Sequence, residues 1–237
     1  MIYNAYFTLG DGGLDYSLAC ALALVEGGVD ILEVGLSYSD PVADGPVIQK
    51  AMERSLKAGT KVRDFLTFMR KFREKSDVPV VLFSYYNPIL AAGPGFLEEA
   101  KKAGANGLLI ADVPFDKYPE SPLDPILIVS TSTPDERLKL IAERAKCFIY
   151  YACQKGTTGM RSQLPAHFPH DIARIKKHSS LPVVAGFGIS TRETAAEAVR
   201  YADGFVVGSY FVDAMSRRIS PEELTQLAIQ LDPRRSP

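Results

Sequence analysis

The sequence predicts a single (β/α)8 barrel, and three observations carry that expectation. Short apolar runs of strand length alternate with helical stretches eight times along the chain. The runs lack the alternating polarity of a half-exposed sheet, as expected of strands buried on both faces. The 237 residues contain no linker, low-complexity tract or break in composition, so one domain, residues 1–237, is expected. Such a length is normal for this barrel and allows roughly 70 % of the unfolded surface to be buried.

Tyr6-Phe7-Thr8-Leu9 is the first strand and ends in the turn Gly10-Asp11-Gly12-Gly13. Leu14 to Glu26 has apolar residues at helical spacing (Leu18, Ala21, Leu22, Val25) and stops at Gly27-Gly28. Ile31-Leu32-Glu33-Val34-Gly35 is the second strand, with a carboxylate inside it. The loop Ser39-Asp40-Pro41-Val42-Ala43-Asp44-Gly45-Pro46 follows, then helices over Val47 to Ala58 and Val62 to Lys75. Pro79 to Phe83 is the third strand, running into a loop at Ser84-Tyr85-Tyr86-Asn87-Pro88. Phe96 to Ala103 is helical. Gly107 to Ala111 is the fourth strand and leads to Asp112-Val113-Pro114. Ile126 to Val129 is the fifth, followed by the cluster Ser130 to Thr133, with Pro134 in the first turn of the next helix. Phe148 to Tyr151 is the sixth and enters the polar loop Gly156-Thr157-Thr158-Gly159-Met160-Arg161. A helix over about Ala166 to His178 precedes the seventh strand, Pro182 to Ala185, which ends at Gly186-Phe187-Gly188. Thr191 to Arg200 is helical. Gly204 to Val207 is the eighth strand and meets Gly208 and Ser209, where a short helix starts.

The bulk numbers exclude several classes. A formal net charge of −1 gives no electrostatic reason to expect nucleic acid or an anionic membrane as partner. No apolar run is long enough for a membrane span, and no secretory leader is visible. Cys20, Cys147 and Cys153 have no metal-like spacing and suit a reducing compartment, so a cytoplasmic location is expected. His167, His170 and His178 fall in one helical region and read as a solvated face rather than a metal site, and no metal is expected.

In a barrel of this kind the site lies at the C-terminal ends of the strands. A buried ionisable group costs several kcal/mol unless compensated, so Glu33 asks for an explanation. It reads either as a salt-bridged core residue or as an acid/base. Desolvation at the barrel mouth would push its pKa toward the range useful for proton transfer. Asp44 sits on a loop that can fold over a ligand. Ser-Asp-Pro and Asp-Gly-Pro are also ordinary turn sequences. Asp11 and Asp112 read as loop-ordering or capping groups. Gly186, Gly188, Gly208 and Ser209, at the ends of strands seven and eight, let backbone N–H groups converge on an anion, and phosphate is the usual one there. Tyr6, Phe83, Leu109, Ile128, Tyr150, Phe187 and Val206 could line an apolar pocket or simply fill the barrel. No strand carries a lysine, which disfavours a Schiff-base aldolase and, with the ADGP loop, a sugar-phosphate isomerase.

LEVGLSYSDPVADGPVIQKA resembles the signature of the tryptophan synthase α subunit family. FTLGDGG, YYNPIL, ADVP, GTTG, GFGIS and the GS after FVV resemble its other strand ends, in order, over nearly the whole chain. The resemblance implies cofactor-free retro-aldol cleavage of indole-3-glycerol phosphate into indole and glyceraldehyde 3-phosphate. It also implies a pyridoxal-phosphate β subunit, in an α2β2 heterotetramer, that receives indole through a tunnel. Glu33 matches the acid that protonates indole C3, and Asp44 the carboxylate that accepts the indole N1–H. Gly159, Gly188, Gly208 and Ser209 match the phosphate cradle. Tyr6, Tyr150 and Phe187, joined by Phe83 and Leu109, form the expected indole pocket. Thr158 and Tyr85 are assigned to loop closure.

The chain departs from the family's pattern at several points. Ser37-Tyr38 stands for the usual Pro-Phe, which is expected to loosen the Asp44 loop. Gly12 replaces a usual Pro, Gln154-Lys155 an Arg-Ala-like pair, and Thr157 a usual Val. The family's N-terminal helix is missing, which is expected to leave the barrel bottom more open. A second reading is thereby left standing: a weakly active or inactive α subunit that acts as allosteric activator of β.

Overall fold

The computed structural model describes residues 1–153, 163–186 and 188–235. Among these the strands are β1 (Ile2–Thr8), β2 (Ile31–Gly35), β3 (Val80–Ser84), β4 (Gly107–Ile110), β5 (Asp124–Pro125), β6 (Leu127–Ser130), β7 (Ile149–Ala152), β8 (Val183–Gly186) and β9 (Gly204–Val207). The helices are α1 (Leu14–Glu26), α2 (Pro46–Lys57), α3 (Asp64–Arg73), α4 (Tyr86–Ala92), α5 (Phe96–Lys102), α6 (Asp135–Arg144), α7 (Phe168–Lys176), α8 (Arg192–Ala198), α9 (Ser209–Ser216) and α10 (Pro221–Leu231). The strands form one sheet in the order β5-β4-β3-β2-β1-β9-β8-β7-β6, and every pairing is parallel.

The two ends of that order meet. Only Ile126 separates β5 from β6, and its N–H donates to Leu108 O at 2.8 Å, which carries the β4 ladder across the gap. Pro125 has no N–H to donate and joins the other side through its carbonyl, which accepts from Lys146 N–H at 2.9 Å. The fifth stave of the barrel is therefore one broken strand, beginning two residues earlier than expected. With it the sheet closes into the expected eight-fold barrel.

Burial explains why the strands showed no polarity pattern. Tyr3, Ala5, Phe7, Leu32, Val34, Leu82, Leu108, Val129, Tyr151 and Phe205 face the helices in one apolar cluster. Tyr6, Val81, Leu109, Ile126, Phe148, Val184 and Val206 fill the barrel interior in a second. Alternation is present, but it is inner core against outer core, and both are apolar. Three polar side chains of the inward set stay fully or nearly fully buried: Asn4, Thr8 and Glu33.

Two local expectations are corrected. The stretch after β3 is not an open loop: α4 starts at Tyr86, and its first N–H donates to Asp112 Oδ1 at 2.8 Å, so the cap arrives from the loop after β4. Pro88 sits within the first turn, where its missing N–H costs nothing. Pro134 is the N-cap of α6 rather than a residue of its first turn. At the end where the strands begin, the Arg234 guanidinium lies 5.9 Å over the Tyr3 ring and pairs with Asp30 and Asp232 at 2.8 Å. The opening expected there is bridged at this corner.

Candidate active site

Glu33 is fully buried on β2, opposite Tyr6 in the β1 register. Its Oε1 accepts a hydrogen bond from Asn4 Nδ2 at 2.8 Å. Its Oε2 has no partner among the described residues. Among the described residues it has no salt bridge. Burial dominates and pushes the carboxyl up to about 7, against the smaller lowering by the Asn4 hydrogen bond.

Asp44, on the loop between β2 and α2, is also buried. Tyr85 Oη donates to its Oδ2 at 2.7 Å and accepts from Ala43 N–H at 3.0 Å. Gln49 Nε2 donates to the Asp44 carbonyl at 2.7 Å. Burial raises this carboxyl to about 6, less than it would without the Tyr85 hydroxyl. Asp40, by contrast, is exposed and paired only with the neighbouring Ser39 hydroxyl at 2.6 Å, as a turn former would be.

The two carboxyl groups act on the same two tyrosines. The Tyr6 and Tyr150 hydroxyls are held far above their ordinary range, first by burial and then by the charges of both Asp44 and Glu33. These rings fit because the strands opposite carry glycine. A Cβ at Gly35 would lie 2.2 Å from Tyr6 Oη, and one at Gly186 would lie 2.3 Å from Tyr150 Oη. Phe83 meets Tyr6 edge-on at 5.2 Å, and Leu109 is buried in the same inner cluster.

At the end of β9, Gly208 is the N-cap of α9, and Ser209 is its first, buried residue. The first N–H groups of a helix have no intrahelical partner and point outward. Gly188, after β8, has φ +85°, a conformation in which a side chain would be strained. Gly188, Gly208 and Ser209, expected from the sequence to cradle phosphate, thus lie at adjacent staves. Gly159, Thr158 and Phe187, and with them Gln154, Lys155 and Thr157, lie outside the described residues.

The substituted pair before the Asp44 loop is tied in. Tyr38 packs on Tyr85 at 5.3 Å, and its hydroxyl accepts from Asn87 Nδ2 at 2.8 Å, so a chain of contacts runs from α4 through Tyr38 and Tyr85 to Asp44. The expected loosening finds no counterpart at Tyr38, although the Ser37 hydroxyl is buried without a partner among the described residues.

Sequence reasoning missed two roles: Asn4 holds Glu33, and Gly35 makes room for Tyr6. Asp11, expected to order a loop or cap a helix, is buried and takes Arg54 and Arg218 together. Among the described residues no three His, Cys, Asp or Glu side chains gather as for a metal. His170 lies on the surface beside Asp171, while the His167 ring bonds to the Cys153 carbonyl at 3.1 Å.

A family model described as tryptophan synthase alpha chain matches residues 2–233. A relative of that name from Chlamydia felis is 51% identical over 243 residues, covering 98% of this chain and 95% of the relative. One from Coxiella burnetii is 50% identical over 238 residues, covering 98% and 93%. Among solved structures, tryptophan synthase from Mycobacterium tuberculosis superposes with a TM-score of 0.89 at 36% identity, covering 97% of this chain and 90% of that one. A tryptophan synthase alpha-subunit from Pyrococcus furiosus gives 0.87 at 34% identity, covering 97% of each.

Proposed function

The chain belongs to the tryptophan synthase alpha chain family, and from that premise we propose that Glu33 and Asp44 cleave indole-3-glycerol phosphate by proton transfer alone. The observation that carries the reading is the pair of buried carboxyl groups, neither paired with a cation among the described residues, that act on the same two tyrosines, Tyr6 and Tyr150. An indole carbanion is a poor leaving group, so C3 of the ring is protonated before the bond breaks. Glu33, raised to about 7, holds a transferable proton near neutrality. Asp44 accepts the N1–H and stabilises the positive charge that develops on the ring. The carboxylate left on Glu33 then takes the proton of the side-chain hydroxyl. The C–C electron pair returns to the ring, and indole leaves beside the aldehyde, with Glu33 protonated as at the start.

Gly188, Gly208 and Ser209, with Gly159, hold the phosphate. Tyr6, Phe83, Leu109, Tyr150 and Phe187 wall the indole. Thr158 and Tyr85 serve loop closure. The reaction needs no cofactor in this chain, and pyridoxal phosphate belongs to the β subunit with which it assembles as α2β2. Among the described residues no helix is long and apolar enough to cross a membrane, and the protein works in the cytoplasm. The alternative of a non-catalytic activator is not favoured, because both acid/base groups are present and buried. Indole release from indole-3-glycerol phosphate, measured with and without β subunit, tests the reading. Turnover is expected in both conditions and faster with β, and no turnover in either would sink it.

Tyr85→Phe probes the second carboxyl. Tyr85 donates to Asp44, favouring its charged form, so its loss should raise the Asp44 pKa beyond about 6. Asp44 works as a carboxylate, so the acid limb of the rate profile moves to higher pH, and kcat/KM at pH 6.5 falls by about tenfold. A pH–rate profile of this variant that overlays the wild type would remove Tyr85 from this role.

A further inference from the structure

We propose that Asn4 is a positioning residue for Glu33: its amide engages Oε1, so that the transferable proton resides on Oε2. The inference rests on the acid role assigned to Glu33 above. It deepens that role by naming the group that sorts its two oxygens.

The geometry is specific. In the β1–β2 register Asn4 lies opposite Ile31 and Tyr6 opposite Glu33, so Asn4 reaches Glu33 diagonally across one pleat, on the inward face. Asn4 is fully buried, on the same inward face as the apolar side chains that fill the barrel. Packing alone gives no reason for an amide there. Its Nδ2 donates to Glu33 Oε1 at 2.8 Å, while its own Oδ1 has no partner among the described residues. A buried acceptor left unpaired costs about 1–3 kcal/mol, which an apolar residue of the same size would not incur. The amide thus satisfies one oxygen of Glu33 while leaving its own Oδ1 unpaired, so its place is explained by Glu33 and not by apolar packing.

What the donor does follows from the carboxyl's chemistry. Oε1 already accepts a fixed N–H, and that bond survives whether Glu33 is ionised or neutral, provided the proton is on the other oxygen. A proton on Oε1 would compete with the amide N–H for the same side of that oxygen. Oε2 is buried and unpartnered among the described residues, so it is the oxygen free to give a proton to a ring carbon and later take one from a hydroxyl. The bond also fixes the carboxyl plane, which a flexible side chain in an apolar barrel would otherwise lack. The titratable groups that feel the Glu33 charge among the described residues are Tyr6 on β1 and Tyr150 on β7, which feel Asp44 as well. None is cationic, so Asn4 is the group opposing desolvation, and without it the carboxyl titrates at higher pH.

The test compares Asn4→Val, Asn4→Asp and Glu33→Gln in the complex with β subunit, assayed for indole release between pH 5.5 and 9. For Asn4→Val, kcat is expected to fall at least tenfold while KM stays within threefold. The alkaline limb of kcat should move up by half a pH unit or more. Its melting temperature at pH 5.5, where Glu33 is neutral, should stay within a few degrees of the wild type, because Oε1 loses its donor as the unpaired Oδ1 is removed, whereas a merely structural role for Asn4 would lower it. Asn4→Asp, which sets an acceptor against Oε1, should lose more activity than Asn4→Val. Wild-type kcat and an unmoved alkaline limb in Asn4→Val, with Glu33→Gln inactive, would overturn the inference and leave the acid role intact. Activity lost together with melting temperature and KM would overturn it in favour of a packing role. Activity retained by Glu33→Gln would overturn both.

Discussion

Glu33→Gln is expected to lower indole release by at least about 10³-fold, while a non-cleavable indole alkyl phosphate still binds within about threefold of the wild type. The size follows from the mechanism: one group both delivers the proton that makes indole a leaving group and removes the proton that releases the aldehyde, and general acid–base catalysis alone contributes roughly 10²–10⁴-fold per step. Binding survives because the substitution keeps volume and shape, and the Asn4 amide can still donate to the new carboxamide oxygen. The same substitution should stabilise the fold at alkaline pH. Glu33 titrates at about 7 in the folded chain against 4.5 ordinarily, so between those values the folded state binds more protons than the unfolded one. The wild type therefore loses stability as pH rises through that window, by on the order of 3 kcal/mol at most. The variant carries no such charge, so its advantage in melting temperature should be present at pH 8 and vanish near pH 5. An assay that finds activity within tenfold of wild type removes Glu33 from the reaction. Melting curves that differ equally at both pH values would show that its buried charge is not what costs stability.

That cost was legible in the sequence, since a carboxylate amid Ile31, Leu32 and Val34 has no packing reason to be there. The barrel was legible too, because runs buried on both faces alternate with helices along the whole chain. What escaped has physical causes. Asn4 lay outside the first strand as drawn from Tyr6, because an asparagine before an apolar run looks like its boundary rather than its interior. The α4 helix was hidden because Asn87 and Pro88 are turn formers, and its cap, Asp112, comes from another strand end. The fifth strand was shortened because Pro125 weakens any strand pattern. The pairing of Asp11 with Arg54 and Arg218 spans 43 and 207 residues, beyond the reach of any local signal. The omissions are either polar contacts between distant segments or strand residues, Asn4 and Pro125, whose type locally signals a boundary, whereas the successes rest on burial that a short stretch displays by itself.

Asp11→Ala is expected to lower the melting temperature by about 5 °C and to raise KM for the phosphate substrate. Asp11 is almost fully buried after β1 and takes Arg54 through two bonds, at 2.9 and 2.7 Å, and Arg218 through a third at 2.8 Å. Arg54 belongs to α2, which follows the Asp44 loop, and Arg218 follows α9, whose first residue is Ser209. One carboxylate thus joins the segment bearing the second acid/base group to the segment at the phosphate cradle. The two arginines left behind are more than a third exposed, so the loss is about 1–3 kcal/mol rather than that of an uncompensated buried charge, which at roughly 2–4 °C per kcal/mol for a chain of this size brackets the stated fall. Gly12 belongs to the same construction. Its φ is +99°, closed to proline, whose ring holds φ near −65°. A Cβ there would also sit 2.5 Å from Arg218 Nη1 and 2.7 Å from Tyr16 Cδ1. Gly12→Pro, although it restores the residue usual in the family's pattern, should therefore destabilise by about 3 kcal/mol, because it dislodges Arg218 from Asp11. Thermal melts of Asp11→Ala, Gly12→Pro and the double variant decide the matter. If the losses act through one network, the double variant melts well above the sum of the two falls. Additive losses, or an Asp11→Ala fall under 2 °C, would show that the Asp11 pairing is surface decoration rather than the joint between the two halves of the site.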